Sequence, residues 1–251
     1  MINIETLIGD SYSRNARLKP ALLTILPMLI SIIMLVSKVA TIWTVLLTIL
    51  VSCGVARLLM QLARDRGKKL EPLLFEKWGG KPSVAMLRYC DERLPKLTKE
   101  RYRTFLEKTV PNLKLASKQM ERKNPSEADV SYESATNWLL AKTRDHERFN
   151  LLFEENMNYG FRRNIWALKP HALAIDIINL LFLLGYVLFY WQGSFISTIQ
   201  TIGIPILATG LLVTVIHSIL FLYVFRPEWV RIPAEEYAKH LLAACDELEV
   251  S

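Results

Sequence analysis

Little in this sequence equips it for catalysis. Only three cysteines and four histidines occur in 251 residues. Cys53, Cys90 and Cys245 form no CxxC pair, so neither a thiolate metal site nor a dithiol redox centre is supported. Reduced thiols are expected. Glycine is scarce as well, at ten residues. The chain has no GxxxxGK[ST] loop, no GxGxxG after a strand, no HExxH and no GxSxG elbow. Its one tight glycine pair, Gly79-Gly80, runs into Lys-Pro-Ser and reads as a turn, not a phosphate cradle. The acid pairs Glu154/Glu155 and Glu235/Glu236 have no nucleophile beside them and read as solvated faces or helix-start charges. No catalytic residue, metal site or cofactor is therefore assigned. Period-two alternation and Asn-Gly hairpin signals are missing too, which leaves an all-α chain.

Long apolar runs are abundant. Half the residues are hydrophobic (51%), mean hydropathy is +0.22, and 22% of residues are still charged. Those figures coexist because the two classes are segregated. Apolar residues fill 20–37, 39–56, 172–192 and 199–225, with only Lys38 between the first two runs. A membrane-spanning helix takes about 20 largely apolar residues. A core helix of a soluble domain would show a polar face at every turn, and these runs show almost none. The pattern predicts an integral membrane protein with four transmembrane helices in two hairpins and a helical cytoplasmic segment. Arg14, Arg17 and Lys19 resemble the basic start of a signal peptide, but the apolar stretch is too long and a second follows at once.

The charges orient the hairpins. The outer turns, near 38–41 and at 193–198, hold one lysine and no charge respectively. Residues 64–170 hold 23 Lys/Arg against 15 Asp/Glu, and the N-terminal arm and the tail add three basic residues each. Positive loops stay in the cytoplasm. Both termini and the central segment are therefore expected on the cytoplasmic side of a bacterial inner membrane. The net charge of +7 is accounted for by anionic headgroups, with no nucleic acid needed.

Four parts follow: an arm and first hairpin (1–63), a cytoplasmic helical segment (64–170), a second hairpin (171–225) and a tail helix (226–251). Within the segment, a turn is expected at Gly79, Gly80 and Pro82. A helix capped by Thr98 should bury Tyr102, Phe105 and Leu106 on one face. A polar break falls at 124–129, and a long helix kinked near Gly160 leads to the third run. Pro233, followed by Glu235 and Glu236, marks the start of the tail helix.

Two groups of residues stand out. Tyr159, Arg162, Arg163, Trp166 and Lys169 precede the third run in the order of a membrane-interface anchor, aromatic rings at headgroup level and basic groups towards phosphates. Pro170 marks a helix restart. Inside the third run lies Asp176, which costs on the order of 3 kcal/mol at a bilayer centre and less near its edge. Asn179, Leu183, Tyr186 and Tyr190 follow it at helical spacing. The fourth run carries a facing stripe, Gly203, Gly210, Thr214 and His217. Asp176 and His217 fall at comparable depth in an antiparallel hairpin. The five polar residues Asp176, Asn179, Tyr186, Thr214 and His217 form either a hydrogen-bonded lock, the favoured reading, or a water-accessible seam. The first hairpin has no matching breaks, which disfavours a transporter built of inverted repeats.

The stretch FEENMNYGFRRNIWALKP, 153–170, resembles one in uncharacterised bacterial membrane proteins and brings no activity with it. The layout of two spans, a helical segment and two further spans resembles that of four-span effectors encoded beside bacterial second-messenger synthases. That resemblance implies a pore-forming homo-oligomer acting on membrane permeability in antiviral defence. A non-conducting anchor that recruits a cytoplasmic protein partner is the alternative.

Overall fold

The computed structural model describes residues 11–36, 42–191 and 193–249, and among them the side chains of 36, 42–50, 52, 200 and 201 are left aside. All described regular elements are helical. A lead-in, Ser11–Ser13 followed by a π-turn over Arg14–Leu18, runs into α1 (Lys19–Val36). Then come α2 (Ile42–Lys77), α3 (Pro82–Ala85), α4 (Lys96–Thr109), α5 (Lys118–Lys123), α6 (Pro125–Lys142) and α7 (Asn150–Phe189). The chain closes with α8 (Phe195–Ile202), α9 (Ile204–Ile219), a π-turn over Leu220–Val224 and α10 (Pro227–Glu249).

Three stretches are long and apolar enough to cross a bilayer: Ser11–Leu35, Asn150–Phe189 and Ile204–Val224. The second apolar run falls on α2, partly on residues outside the described side chains, and the turn near 38–41 lies outside the described residues. The fourth run does not form one helix from residue 199. Gly203, at φ +97°, separates α8 from α9, a conformation open to glycine at little cost.

Other local expectations are corrected. α4 starts at Lys96 with Pro95 as its N-cap, not at Thr98, because the Lys99 amide already bonds the Pro95 carbonyl at 2.9 Å. The break at 124–129 shrinks to Asn124, whose side chain accepts from the Glu127 amide and caps α6. Pro170 restarts nothing: α7 is one helix of 40 residues that runs through both Gly160 and Pro170. Pro233 likewise lies inside α10, which begins at Pro227.

The chain forms two compact units, Met1–Leu70 with Gly160–Trp229, and Glu71–Tyr159 with Val230–Ser251. The first is held by small apolar clusters, such as Ala21, Ile25, Ala56, Leu59, Ala63 and Leu168. Much of its remaining surface is Leu, Ile and Phe, including Ile177, Leu181, Leu188, Leu212 and Ile216. In water such patches would be a liability.

The second unit has an ordinary core, with Leu87, Tyr102, Leu106, Tyr132, Leu139 and Leu241 among its buried members. α4 places Tyr102, Phe105 and Leu106 inward. Around them three buried charges organise the loop after α3. Arg103 donates to the carbonyls of Leu87 and Ala116, at 2.7 Å each, with its guanidinium over the rings of Tyr89 and Tyr132. Lys99 donates to the Arg88 carbonyl at 2.7 Å and to that of Asp91. The Glu121 carboxylate accepts from the Tyr132 hydroxyl at 2.7 Å and from the amides of Tyr89 and Cys90 at 2.9 and 3.3 Å. Burial alone would raise the Glu121 carboxyl, but these hydrogen bonds outweigh it and hold the group below its ordinary value. Burial pushes the Cys245 thiol up to about 12, so it is inert.

A depressed native carboxyl contributes stability above the unfolded value, about 4.3 for glutamate, and loses it as pH falls through the native value. Acid titration of the full-length protein in detergent, followed by unfolding, should therefore show a loss of stability below about pH 4.3 that is shallower in Glu121→Gln. Glu121→Ala, which strands three donors, should cost on the order of 3 kcal/mol at pH 7. Identical acid branches in wild type and Glu121→Gln would remove Glu121 from this role.

Candidate functional site

Prolines inside helices create the site. An α-helical carbonyl bonds the amide four residues on, and proline has none to give. Pro20 therefore leaves the Ala16 carbonyl without its helical donor, Pro27 leaves that of Leu23, and Pro233 that of Trp229. In each case a side chain of α7 or α9 supplies the missing hydrogen. Asn164 Nδ2 donates to the Ala16 carbonyl at 2.6 Å. His217 Nε2 lies 2.9 Å from the Leu23 carbonyl. Arg162 Nη1 donates to the Trp229 carbonyl at 3.0 Å. A fourth case arises at the π-turn 220–224, where Lys169 Nζ donates to the Leu222 carbonyl at 3.1 Å. The carbonyls freed by Pro72 and Pro170, on Lys68 and Trp166, receive no side-chain hydrogen bond among the described residues.

His217 also meets Asp176. Its Nδ1 lies 2.9 Å from Oδ1 and 3.0 Å from Oδ2, and Ser218 Oγ donates to Oδ2 at 2.7 Å. Asp176 and His217 are 2% and 4% exposed, so water does not share the work. The proton count follows from the partners. A carbonyl only accepts, so Nε2 carries a hydrogen. Another hydrogen must lie between Nδ1 and the carboxylate, since otherwise two lone pairs would face each other. Whether His217 or Asp176 holds it, the pair is neutral overall. That neutrality removes most of the cost of an acid in apolar surroundings.

The pair is one rung of a ladder. Steps forward along α7, 176, 179 and 183, match steps backward along α9, 217, 214 and 210. On the second rung Asn179 Nδ2 donates to Thr214 Oγ1 at 2.9 Å, and Thr214 passes its own hydrogen to the Gly210 carbonyl at 2.7 Å. On the third, a Cβ on Gly210 would stand 3.2 Å from both Leu183 Cδ1 and Ser31 Oγ, which shows how closely the helices approach. Asn179 Oδ1 and Ser31 Oγ are buried without a hydrogen-bond partner among the described residues. Tyr186 stands off the polar rungs. Its ring meets Tyr190 at 4.8 Å and packs on the cluster of Leu35, Leu183, Ile202 and Leu207.

The residues grouped as an interface anchor are engaged with protein. The Tyr159 hydroxyl donates to Glu71 Oε1 at 2.5 Å and its ring stacks on Tyr237. Arg162 and Lys169 hold the carbonyls named above, Arg163 is 8% exposed, and Trp166 is half-buried. Sequence reasoning missed Ser218, Asn164 and the Leu23 carbonyl. Proline four residues after a carbonyl is the signal that could have found the Ala16, Leu23 and Trp229 acceptors. Among the described residues no group of three His, Cys, Asp or Glu could hold a metal. No family model, curated protein or solved structure matches the chain.

The link between Pro27 and His217 is open to a double-mutant cycle. His217→Leu strands both the Leu23 carbonyl and Asp176. Pro27→Ala restores the helical donor to that carbonyl, and in the His217→Leu background it should recover about 1 kcal/mol more than in wild type. Thermal unfolding in detergent reads this difference. The same gain in both backgrounds would show that His217 does not cap Leu23.

Proposed function

We propose that the protein is a multi-pass protein of a bacterial inner membrane, in which the apolar unit is a non-conducting anchor and the second unit recruits a cytoplasmic partner. The second apolar run, on α2, supplies a fourth span, and both termini face the cytoplasm as the Lys/Arg asymmetry requires. The observation that carries the anchor reading is the burial and internal pairing of the Asp176–His217 rung of the polar ladder. A pore needs polar groups along a wet path. Here Asp176, His217 and Thr214 are at most 4% exposed and spend their hydrogen bonds within one chain. A pore-forming oligomer would have to open that ladder before it could line a channel with it.

The recruiting role draws on the second unit. It has a cavity of about 240 Å³ walled by Glu71, Phe75, Lys81, Glu133, Tyr159 and Tyr237. Aromatic walls with charges at the rim suit a partner's side chain.

Two measurements test this. Cys90 is exposed; in a Cys53→Ser background an impermeant thiol reagent should modify it only after cells are permeabilised. Modification in intact cells would overturn the orientation. Induced expression should leave the membrane potential intact, and Asp176→Asn, which can donate to His217 Nδ1 while Nε2 still caps Leu23, should insert and unfold like wild type. Depolarisation by wild type that Asp176→Asn abolishes would replace the anchor with a conducting path.

A further inference from the structure

We infer that Lys169 and Arg226 form a site for the phosphate of an anionic lipid, an inference that rests on the membrane placement proposed above. Lys169 stands just before the apolar stretch 172–192, and Arg226 just after 199–225. The two ends meet at one level, as the antiparallel ladder requires, and that level is where headgroups lie. Arg162, on the same face of α7, stands about 10 Å further along the helix from Lys169.

The cations are held but not neutralised. Arg162 donates to the Trp229 carbonyl and its guanidinium lies 4.8 Å over the Trp229 ring. Lys169 donates to the Leu222 carbonyl. The Arg226 guanidinium lies 5.9 Å from the Tyr223 ring centre, and Tyr223 directly follows Leu222, whose carbonyl holds Lys169. None of the three forms an ion pair with a carboxylate among the described residues; Glu228, two residues from Arg226, pairs with none of them. Carbonyls fix the position of positive charge without cancelling it. Two like charges brought together without an acid leave an electrostatic deficit that a phosphate would remove through charge-assisted hydrogen bonds.

A free phosphate would meet the same cations, but the flank favours a lipid. Leu222, Tyr223 and Val224 expose 44%, 63% and 43% of their surfaces beside the charges. Charge at one level with an apolar flank next to it fits a headgroup followed by its acyl chain. Water is a poor neighbour for those three side chains, and an acyl chain is a good one.

The test uses the full-length protein in a neutral detergent, with thermal unfolding and native mass spectrometry as readouts. Phosphatidylglycerol should raise the unfolding temperature and stay bound, whereas phosphatidylcholine and inorganic phosphate should do neither. Lys169→Gln and Arg226→Gln should each weaken phosphatidylglycerol retention about fivefold, and should lose the phosphatidylglycerol-dependent rise in unfolding temperature when each variant is compared with itself in phosphatidylcholine. Arg226→Lys, which keeps the charge, should retain the lipid. Undiminished retention in the Lys169→Gln, Arg226→Gln double variant overturns the site. An equal stabilisation by inorganic phosphate overturns the lipid as occupant. A chain that stays monodisperse without detergent would instead overturn the membrane placement beneath it.

Discussion

A backbone carbonyl that loses its helical donor in apolar surroundings is the constraint around which the first unit is built. In water such a group is satisfied at no effort. Within hydrocarbon each unpaired polar group costs several kcal/mol. Pro20 and Pro27 each impose one such loss, at Ala16 and Leu23, and Pro233, in the second unit, frees the carbonyl of Trp229. The donors that answer them come from α7 and α9, so each local defect becomes a link between helices. Apolar side chains would not supply such links specifically, because lipid tails attract them as well as neighbouring helices do. The prolines thus convert a packing problem without direction into hydrogen bonds with direction.

His217 shows how far one such link reaches. Bound to the Leu23 carbonyl alone, it would be a polar ring held by one bond. With Nε2 committed there, Nδ1 is free to take a second partner, and Asp176 fills that place. The aspartate is then held by the histidine and Ser218, and three segments, α1, α7 and α9, are tied through four groups. The neutral pair explains why an acid is tolerated among Leu and Ile residues. It also explains the order of the ladder: the costliest rung is fully paired, while the cheaper rung at Asn179 leaves one amide oxygen without a partner. An uncharged orphan costs about 1–3 kcal/mol, and a charged one considerably more.

Much of this was legible in the sequence, for identifiable reasons. Helical spacing put Asp176, Asn179, Leu183, Tyr186 and Tyr190 on one face and Gly203, Gly210, Thr214 and His217 on another, and antiparallel depth matching paired Asp176 with His217. Those inferences need only a period and a direction. The lead-in and first run were opaque as partners because the acceptor there is main chain, and sequence patterns advertise side chains. Pro170 and Pro233 misled for the opposite reason. A proline usually ends a helix, but where packing on both sides continues, α7 and α10 run through it. Thr98 failed as a cap because Pro95, with its fixed φ and no amide to satisfy, already turns the chain into α4. The buried Glu121–Tyr132 contact joins residues 11 apart in sequence, and no periodicity announces it.

The two units therefore solve one problem with differently sorted charges. In the second, Arg103 and Lys99 also cap carbonyls, those of Leu87, Ala116, Arg88 and Asp91; burial lowers the Lys99 ammonium, and the charges of Asp91 and Glu121 work against that loss. In the first, cations at the ends of the apolar stretches cap carbonyls with no acid beside them, and the one histidine deeper in does so only as half of a neutral pair. The difference is what an apolar solvent imposes: charge is tolerated at its edge, where headgroups can balance it, and must be cancelled inside. The distribution of Arg162, Lys169 and Arg226 against Asp176 and His217 is thus itself an argument for a bilayer around the first unit. A soluble bundle would have no reason to sort its charges by depth.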